Sequence, residues 1–325
     1  MPHYDKRDAL HSVTWVLGSI ATVSIAARIY TRFIFQGHHG WDDYTMITAW
    51  VLAMVSAALV TVAVRYGLGL DLLDIHDPNN RMNAIKYLTI APNFSILSVA
   101  VGKVSIVLLL QRIMGAMARK LHLVILWIVA VISFGLSIAA VAVVLGFCTP
   151  TKRIWDKSVQ GHCIDTQIQL GIGLGQASFN AFADLLLALF PTVLFWDLQI
   201  KIRRKIGLMM VMGVGIFGAA ITSYKAYNLR NLPGHSNLTR SWTPITIWNT
   251  AEMFVLIITA SVPTLQPLIR TAFGISSTGG YNSYALRQTP KSNRTGDSAG
   301  RYPDGIATNT SSDHILPADL GHKGG

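Results

Sequence analysis

An all-α polytopic membrane protein, a bundle of seven transmembrane helices, is the fold class this sequence predicts, and three observations carry the prediction. Seven apolar stretches fill the chain from Val13 to Leu268. Each is close to the ~20 residues that a helix rising ~1.5 Å per residue needs to cross a ~30 Å hydrocarbon layer. The 325 residues are 51% hydrophobic and 13% charged, with a mean hydropathy of +0.42, whereas a soluble globular chain carries ~25% charged residues. Ten-residue units of alternating polarity are absent, which argues against a transmembrane barrel. Helices remain, because each satisfies its own backbone hydrogen bonds inside lipid.

Residues 1–12 form a short polar N-terminus, and the first span, Val13 to Phe33, lacks the small-residue cleavage pattern of a signal peptide, so it reads as a retained helix. The second runs from Tyr44 to Val64, behind Asp42 and Asp43, two carboxylates favoured at a helix N-terminus. The third (Tyr87 to Leu110) closes on Arg112, and the fourth (Leu121 to Phe147) opens after Arg119 and Lys120. The fifth (Ile168 to Trp196) and sixth (Ile206 to Tyr227) flank a compact basic cluster, Lys201, Arg203, Arg204 and Lys205, and the seventh covers Pro244 to Leu268. The membrane domain is therefore 13–270. Past Arg270 the composition turns to Ser, Gly, Thr, Asn and Pro, and 271–325 reads as a disordered cytoplasmic tail with too little apolar surface to fold. The pairs Gly171/Gly175 and Gly215/Ala219 place small residues one turn apart, a pattern that lets neighbouring helices approach closely.

Orientation rests on cysteine. Lys and Arg are balanced, eight in the loops on each side, so charge does not decide it. The two cysteines, Cys148 and Cys163, share the loop between the fourth and fifth spans, and a disulfide there persists only on the oxidising side. Asn237-Leu238-Thr239 is a glycan acceptor on that same side. The N-terminus is then extracellular or lumenal, in the plasma membrane or an endomembrane, and the basic cluster and tail face anionic cytosolic lipid. The net charge of +11 is spread over loop ends and tail, with no folded face for phosphate readout, so no nucleic-acid partner is expected. Arg28, one turn inside the end of the first span, reads as a snorkelling residue.

Besides Arg28 and Arg32 near the end of the first span, four charges lie inside spans: Lys103, Asp184, Lys225 and Glu252. A charge in hydrocarbon costs at least ~2.5 kcal/mol, so each should face the bundle interior with a partner. Measured from the cytoplasmic helix ends, Lys103 lies ~13 Å up and Asp184 ~20 Å up, while Glu252 lies ~27 Å and Lys225 ~30 Å up. Depth therefore matches Lys103 with Asp184 and Lys225 with Glu252. Asn180 precedes Asp184 by four residues on the same face, and Trp248 and Asn249 stand beside Glu252 in the same way. Two readings of these residues stay open: interhelical ion pairs that hold the bundle together, or the lining of a cavity for an apolar small-molecule ligand. His38, His39, Asp42 and Asp43 are the only cluster with metal-ligand chemistry. Their spacing fits helix capping better, and no metal is expected. No hydrolase triad order, phosphate loop or cofactor fingerprint is present, and no cofactor is expected.

The order of several motifs resembles the fungal rhodopsin-like integral membrane proteins. They are Gly40-Trp41-Asp42-Asp43-Tyr44, Lys103-Val104-Ser105-Ile106 with Gln111-Arg112-Ile113, and Cys148-Thr149-Pro150 with Trp155-Asp156 and Cys163. Further along come Asn180 with Asp184 and Pro191, Leu198 with Arg204-Lys205-Ile206-Gly207, and Glu252 with Val262-Pro263 and Pro267. The resemblance implies a seven-helix protein of filamentous fungi, of a kind linked to host sensing and virulence or to secondary-metabolite gene clusters. The cysteine-rich module that precedes the first helix in some receptor-like relatives is not seen, which weakens the host-sensing reading. Retinal is not implied, since the seventh span holds no lysine for a Schiff base. Two functions follow as expectations. One is a ligand-sensing or accessory protein associated with secondary-metabolite biosynthesis or virulence. The other is an intramembrane isomerase or cyclase acting on a lipophilic intermediate, with Asp184 or Glu252 as general acid.

Overall fold

The computed structural model describes residues 5–36, 40–70, 75–114, 120–156, 158–195 and 238–272. They form α1 (Arg7–Thr31), which continues as a π-helical turn over Arg32–Gln36, then α2 (Trp41–Arg65), α3 (Pro78–Met114) and α4 (Lys120–Leu145). A two-stranded hairpin follows, β1 (Cys148–Thr149) antiparallel to β2 (His162–Cys163), and then α5 (Thr166–Phe195) and α6 (Leu238–Ala272). Six helices among the described residues are long and apolar enough to cross a membrane: Arg7–Ile34, Trp41–Arg65, Pro78–Arg112, Lys120–Leu145, Gln167–Leu187 and Trp242–Leu265. They match the first five expected spans and the seventh. The sixth expected span, 206–227, lies outside the described residues, as do the tail, Lys225, Asn237, His38 and His39.

Three helices begin well before their expected spans, α6 among them at Leu238, six residues before Pro244. α1 begins at Arg7, so half of the expected N-terminus is helical, and α3 begins at Pro78, nine residues before Tyr87. Apolar content marks the lipid crossing, whereas a helix starts where its first N–H groups find acceptors. At α3 that acceptor is Asp77, whose carboxylate takes the Asn79 N–H at 3.0 Å, with Pro78 in the first helical position where no N–H is needed.

α3 is the axis of the bundle. It packs on α2, α4 and α6, while α1 packs on α6 and α2, and α5 on α4. One apolar core joins α1, α2, α3 and α6 through Ile25, Met46, Val99, Met253, Phe254 and Ile257. A second joins α3, α4 and α5 through Val107, Leu110, Leu126, Ala130 and Leu187. Large apolar side chains point outward as well, among them Val16, Val23, Phe33 and Val131, each more than half exposed, as a lipid-facing surface requires. Several hydroxyls in the spans are satisfied by their own helix: Thr14 donates to the Leu10 carbonyl at 2.7 Å, Thr22 to Gly18 at 2.8 Å and Ser24 to Ile20 at 2.8 Å.

Close helix approach is made at other glycines than Gly171 and Gly175, while Gly215 and Ala219 lie outside the described residues. A Cβ at Gly171 or Gly175 would meet nothing within 4 Å, whereas one at Gly18 would lie 3.3 Å from the Phe254 ring and one at Gly102 2.5 Å from Leu256 Cδ2. The seams that lack room are therefore α1–α6 and α3–α6. Pro92 interrupts the ladder of α3, and the Asn93 amide donates to the Thr89 carbonyl at 2.8 Å, serving a carbonyl beside the break.

Candidate functional site

The first buried polar centre joins α3, α4 and α5. Lys103, 1% exposed, sits 2.9 Å from the Asp184 carboxylate, so the pair expected from depth matching is made. Its ammonium also donates to Asn180 Oδ1 at 3.1 Å and to the Asn180 carbonyl at 3.2 Å. An ammonium has three N–H bonds, and each finds an acceptor here. Asn180 and Asp184 converge on Lys103 because a four-residue step keeps them on one helical face. Ser133 of α4 adds a hydrogen bond to Asn180 Oδ1 at 3.0 Å, and Ser137 donates to the Ser133 carbonyl at 2.8 Å. The sequence reading missed both serines. A serine within an apolar span carries no distinguishing signal, since it can equally donate to its own helix, as Ser19 and Ser24 do.

The second centre lies where α6 meets α3. Asn249 donates to Ser95 Oγ at 2.5 Å, and Glu252, one turn on, is 4% exposed. Trp248 is half-buried on the neighbouring position of α6. The partner expected for Glu252, Lys225, lies outside the described residues. Ser98 of α3 donates to the Ala49 carbonyl at 2.7 Å and Ser56 of α2 to the Ala91 carbonyl at 2.9 Å, so polar side chains also tie α3 to α2.

A third centre was not foreseen and holds more charge than either. Arg28 reaches Asp42 at 2.7 Å and Asp43 at 2.9 Å, Arg32 reaches the same two at 2.8 and 3.3 Å, and Arg112 reaches Asp42 at 3.2 Å. Arg28 also donates to the Ala260 carbonyl at 3.0 Å, and the Ser105 hydroxyl to the Asp42 carbonyl at 2.6 Å. The network thus binds α1, α2, α3 and α6 at the end of the bundle opposite the hairpin. Arg28 is 1% exposed, which overturns its reading as a snorkelling residue. It points inward because the first turn of α2 places two carboxylates at its level, and a guanidinium in lipid takes the nearest anion. Asp43 keeps its expected capping role too, accepting the Gly40 N–H at 3.3 Å. The signal was present in the four-residue step from Arg28 to Arg32 and the adjacent acids past a short turn. With their oxygens held by arginines, Asp42 and Asp43 are not disposed as metal ligands.

At the other end, Cys148 and Cys163 form a disulfide across the hairpin, fixing the α4–α5 connection. Within it, the Ser158 hydroxyl and N–H both bond Asp156, at 2.5 and 3.1 Å, and hold that carboxyl below its ordinary range.

The chain is similar to proteins of several fungi. A SAT4 family membrane protein of Emericella nidulans is 32% identical over 36% of this chain and 30% of its own length. Wortmanamides biosynthesis cluster protein C of Talaromyces wortmannii is 22% identical over 78% of this chain and 68% of its own. Fugralins biosynthesis cluster protein 2 of Gibberella zeae is 22% identical over 46% and 40%. The match thus spans under half the length of the Emericella and Gibberella proteins. No solved structure matches. Buried charges inside apolar helices, a disulfide hairpin and a match over residues 27–271, well over half its length, lead to one assignment: the chain belongs to the fungal rhodopsin domain family.

Proposed function

We propose that this is a seven-helix membrane protein of fungal secondary metabolism, oriented with its N-terminus outside or lumenal, that senses or helps handle an apolar small molecule within the bundle. The observation that carries the reading is Glu252, a carboxylate held 4% exposed on the inner side of α6 beside the Asn249–Ser95 hydrogen bond. Ionisable groups inside spans mark ligand and proton paths. Support for the metabolic setting comes from relatives named for the wortmanamides, fugralins and satratoxin biosynthesis clusters. Asp184 is the weaker candidate. Its charge is balanced by Lys103, whose three N–H bonds are already committed, so the α3–α4–α5 centre serves to hold those helices in register.

The second reading is an intramembrane isomerase or cyclase in which Glu252 donates the proton. It is favoured by the same buried carboxylate, since such chemistry needs a shaped apolar cavity and one acid. Comparative metabolite profiling separates the two. A deletion strain is complemented with wild type, Glu252→Gln or Asp184→Asn, each checked for membrane expression. Under the sensing reading, metabolite output or its induction changes in level without an accumulated intermediate. Build-up of one intermediate in both the deletion and the Glu252→Gln strain, at normal expression, replaces sensing with catalysis.

A further inference from the structure

The first turn of α1 and the last turn of α2 meet at the hairpin end of the bundle and border an open cleft of about 350 Å3 lined by Arg7, Asp8, His11, Val64 and Arg65. The Lys6 N–H bonds the Gly69 carbonyl at 3.2 Å, and Gly69, at φ +105°, lies so close to Arg7 that a Cβ there would stand 3.1 Å from the Arg7 nitrogen. The turn after α2 is thereby pressed onto the start of α1. Asp5 grips one edge of Arg7, bonding Nε at 3.1 Å and Nη2 at 2.7 Å, and leaves the Nη1 edge uncommitted to Asp5.

Asp8 and His11 are three residues apart and share a helical face. Among the described residues neither Asp8 nor Arg65 closes a hydrogen bond or ion pair, Asp8 acting on Arg7 only through its charge, although both line the same cleft and both are exposed. A carboxylate and a guanidinium therefore face one space without closing on each other. A ligand carrying a negative and a positive charge in close succession satisfies both walls. The cleft lies at the ends of two membrane spans, the level at which phospholipid headgroups stand, and phosphate followed by ammonium is the charge order found there. A guanidinium suits phosphate through parallel N–H bonds. Asp8 suits an ammonium that has N–H groups to give. No Phe, Tyr or Trp ring is among the lining residues to hold a quaternary ammonium.

We propose that this cleft binds a phosphate ester bearing a primary ammonium, the phosphoethanolamine chemistry of a phospholipid headgroup, with phosphate on Arg65 and ammonium on Asp8. His11 and the open edge of Arg7 lie beside the phosphate position. The proposal stands apart from any role of Glu252.

Native mass spectrometry of the full chain in detergent tests it. The protein is mixed with phosphatidylethanolamine, phosphatidylcholine or phosphatidylglycerol of equal acyl length, and lipid retention is compared. Wild type is expected to retain phosphatidylethanolamine about tenfold better than either other lipid, the scale of one charge-assisted hydrogen bond. Asp8→Asn is expected to bring phosphatidylethanolamine down to the level of phosphatidylcholine. Arg65→Gln weakens retention of phosphatidylethanolamine, and Arg65→Lys restores part of it, while Lys152→Gln, at the same end of the bundle, leaves retention unchanged. Competition by free phosphoethanolamine assigns recognition to the headgroup alone, and lipid preference without competition assigns it to the whole lipid. Equal retention of the three lipids by wild type, stronger retention of phosphatidylglycerol, or unchanged retention in Asp8→Asn and Arg65→Gln overturns the proposal. The side chains changed are exposed, and an intact disulfide and thermal transition verify folding of each variant.

Discussion

Lys103 is the residue on which the α3–α4–α5 contact turns, and removing it alone takes away the ammonium that Asp184 and Asn180 share. Lys103→Met is expected to lower stability by about 3 kcal/mol, measured by thermal or denaturant unfolding in detergent, because an uncompensated charge stays buried. Lys103→Met combined with Asp184→Leu should cost less than Lys103→Met alone, which a double-mutant cycle measures as coupling. At the opposite end, a Cβ on Gly40 would run into the Asp42 carboxylate and the Arg112 guanidinium. Gly40→Ala should therefore release Arg112, the one half-exposed arginine of that network, while Arg28 and Arg32 keep their carboxylates. Charge reversal at Arg112 should then have little further effect on stability in the Gly40→Ala background. In the hairpin, the hydrogen bonds from Ser158 place the Asp156 titration below the ~3.9 of a free aspartate. A carboxyl depressed on folding adds stability above its unfolded value and loses it as pH falls through the folded one. Carboxyl NMR should show the low midpoint, and Ser158→Ala should raise it. Lys103, Asp184 and Asn180 were legible in the sequence because charges in apolar helices are rare and depth sorts them. Arg28 was not, since an arginine near a span end has an inexpensive escape to the interface, and only the placement of α2 beside it shows that it does not take that escape.

Elements were legible where apolar length decides and less so where helices begin and touch. Hydropathy placed the lipid crossings, but Pro78 behind an Asp77 cap set the start of α3, and polar residues added two turns to it at no cost in water. Small-residue spacing pointed to α5, whereas the crowded seams run through isolated glycines on α1 and α3, whose closeness depends on which helix stands opposite. Gly102→Ala forces Leu256 to turn away from a Cβ 2.5 Å off and is expected to cost about 1 kcal/mol. Gly135→Ala in α4 meets nothing within 4 Å and should be neutral or stabilising by about 0.5–1 kcal/mol from helix propensity alone. Unfolding midpoints of the two variants in the same detergent compare them directly.

The molecule as a whole has two unlike ends, a disulfide hairpin at one and a five-membered arginine–aspartate network at the other. The proposed orientation is tested by adding membrane-impermeant thiol reagents to intact cells before and after reduction. Cys148 and Cys163 should label from outside, and only after reduction, while a glycan at Asn237 should shift in mobility on endoglycosidase treatment. Labelling only after permeabilisation would reverse the orientation for a plasma-membrane protein. The network bears on how the chain enters the bilayer. Arg28 stands within the first span and, entering alone, carries a charge worth ~2.5 kcal/mol or more against insertion, yet its two neutralising carboxylates are made only fourteen and fifteen residues later. The first span by itself is thus an incomplete passenger. The shortest nascent segment that cancels its own charge includes Asp42 and Asp43, so α1 and α2 are expected to commit to lipid together, and a chain released before Asp42 should lodge in the membrane less often than one released after Arg65.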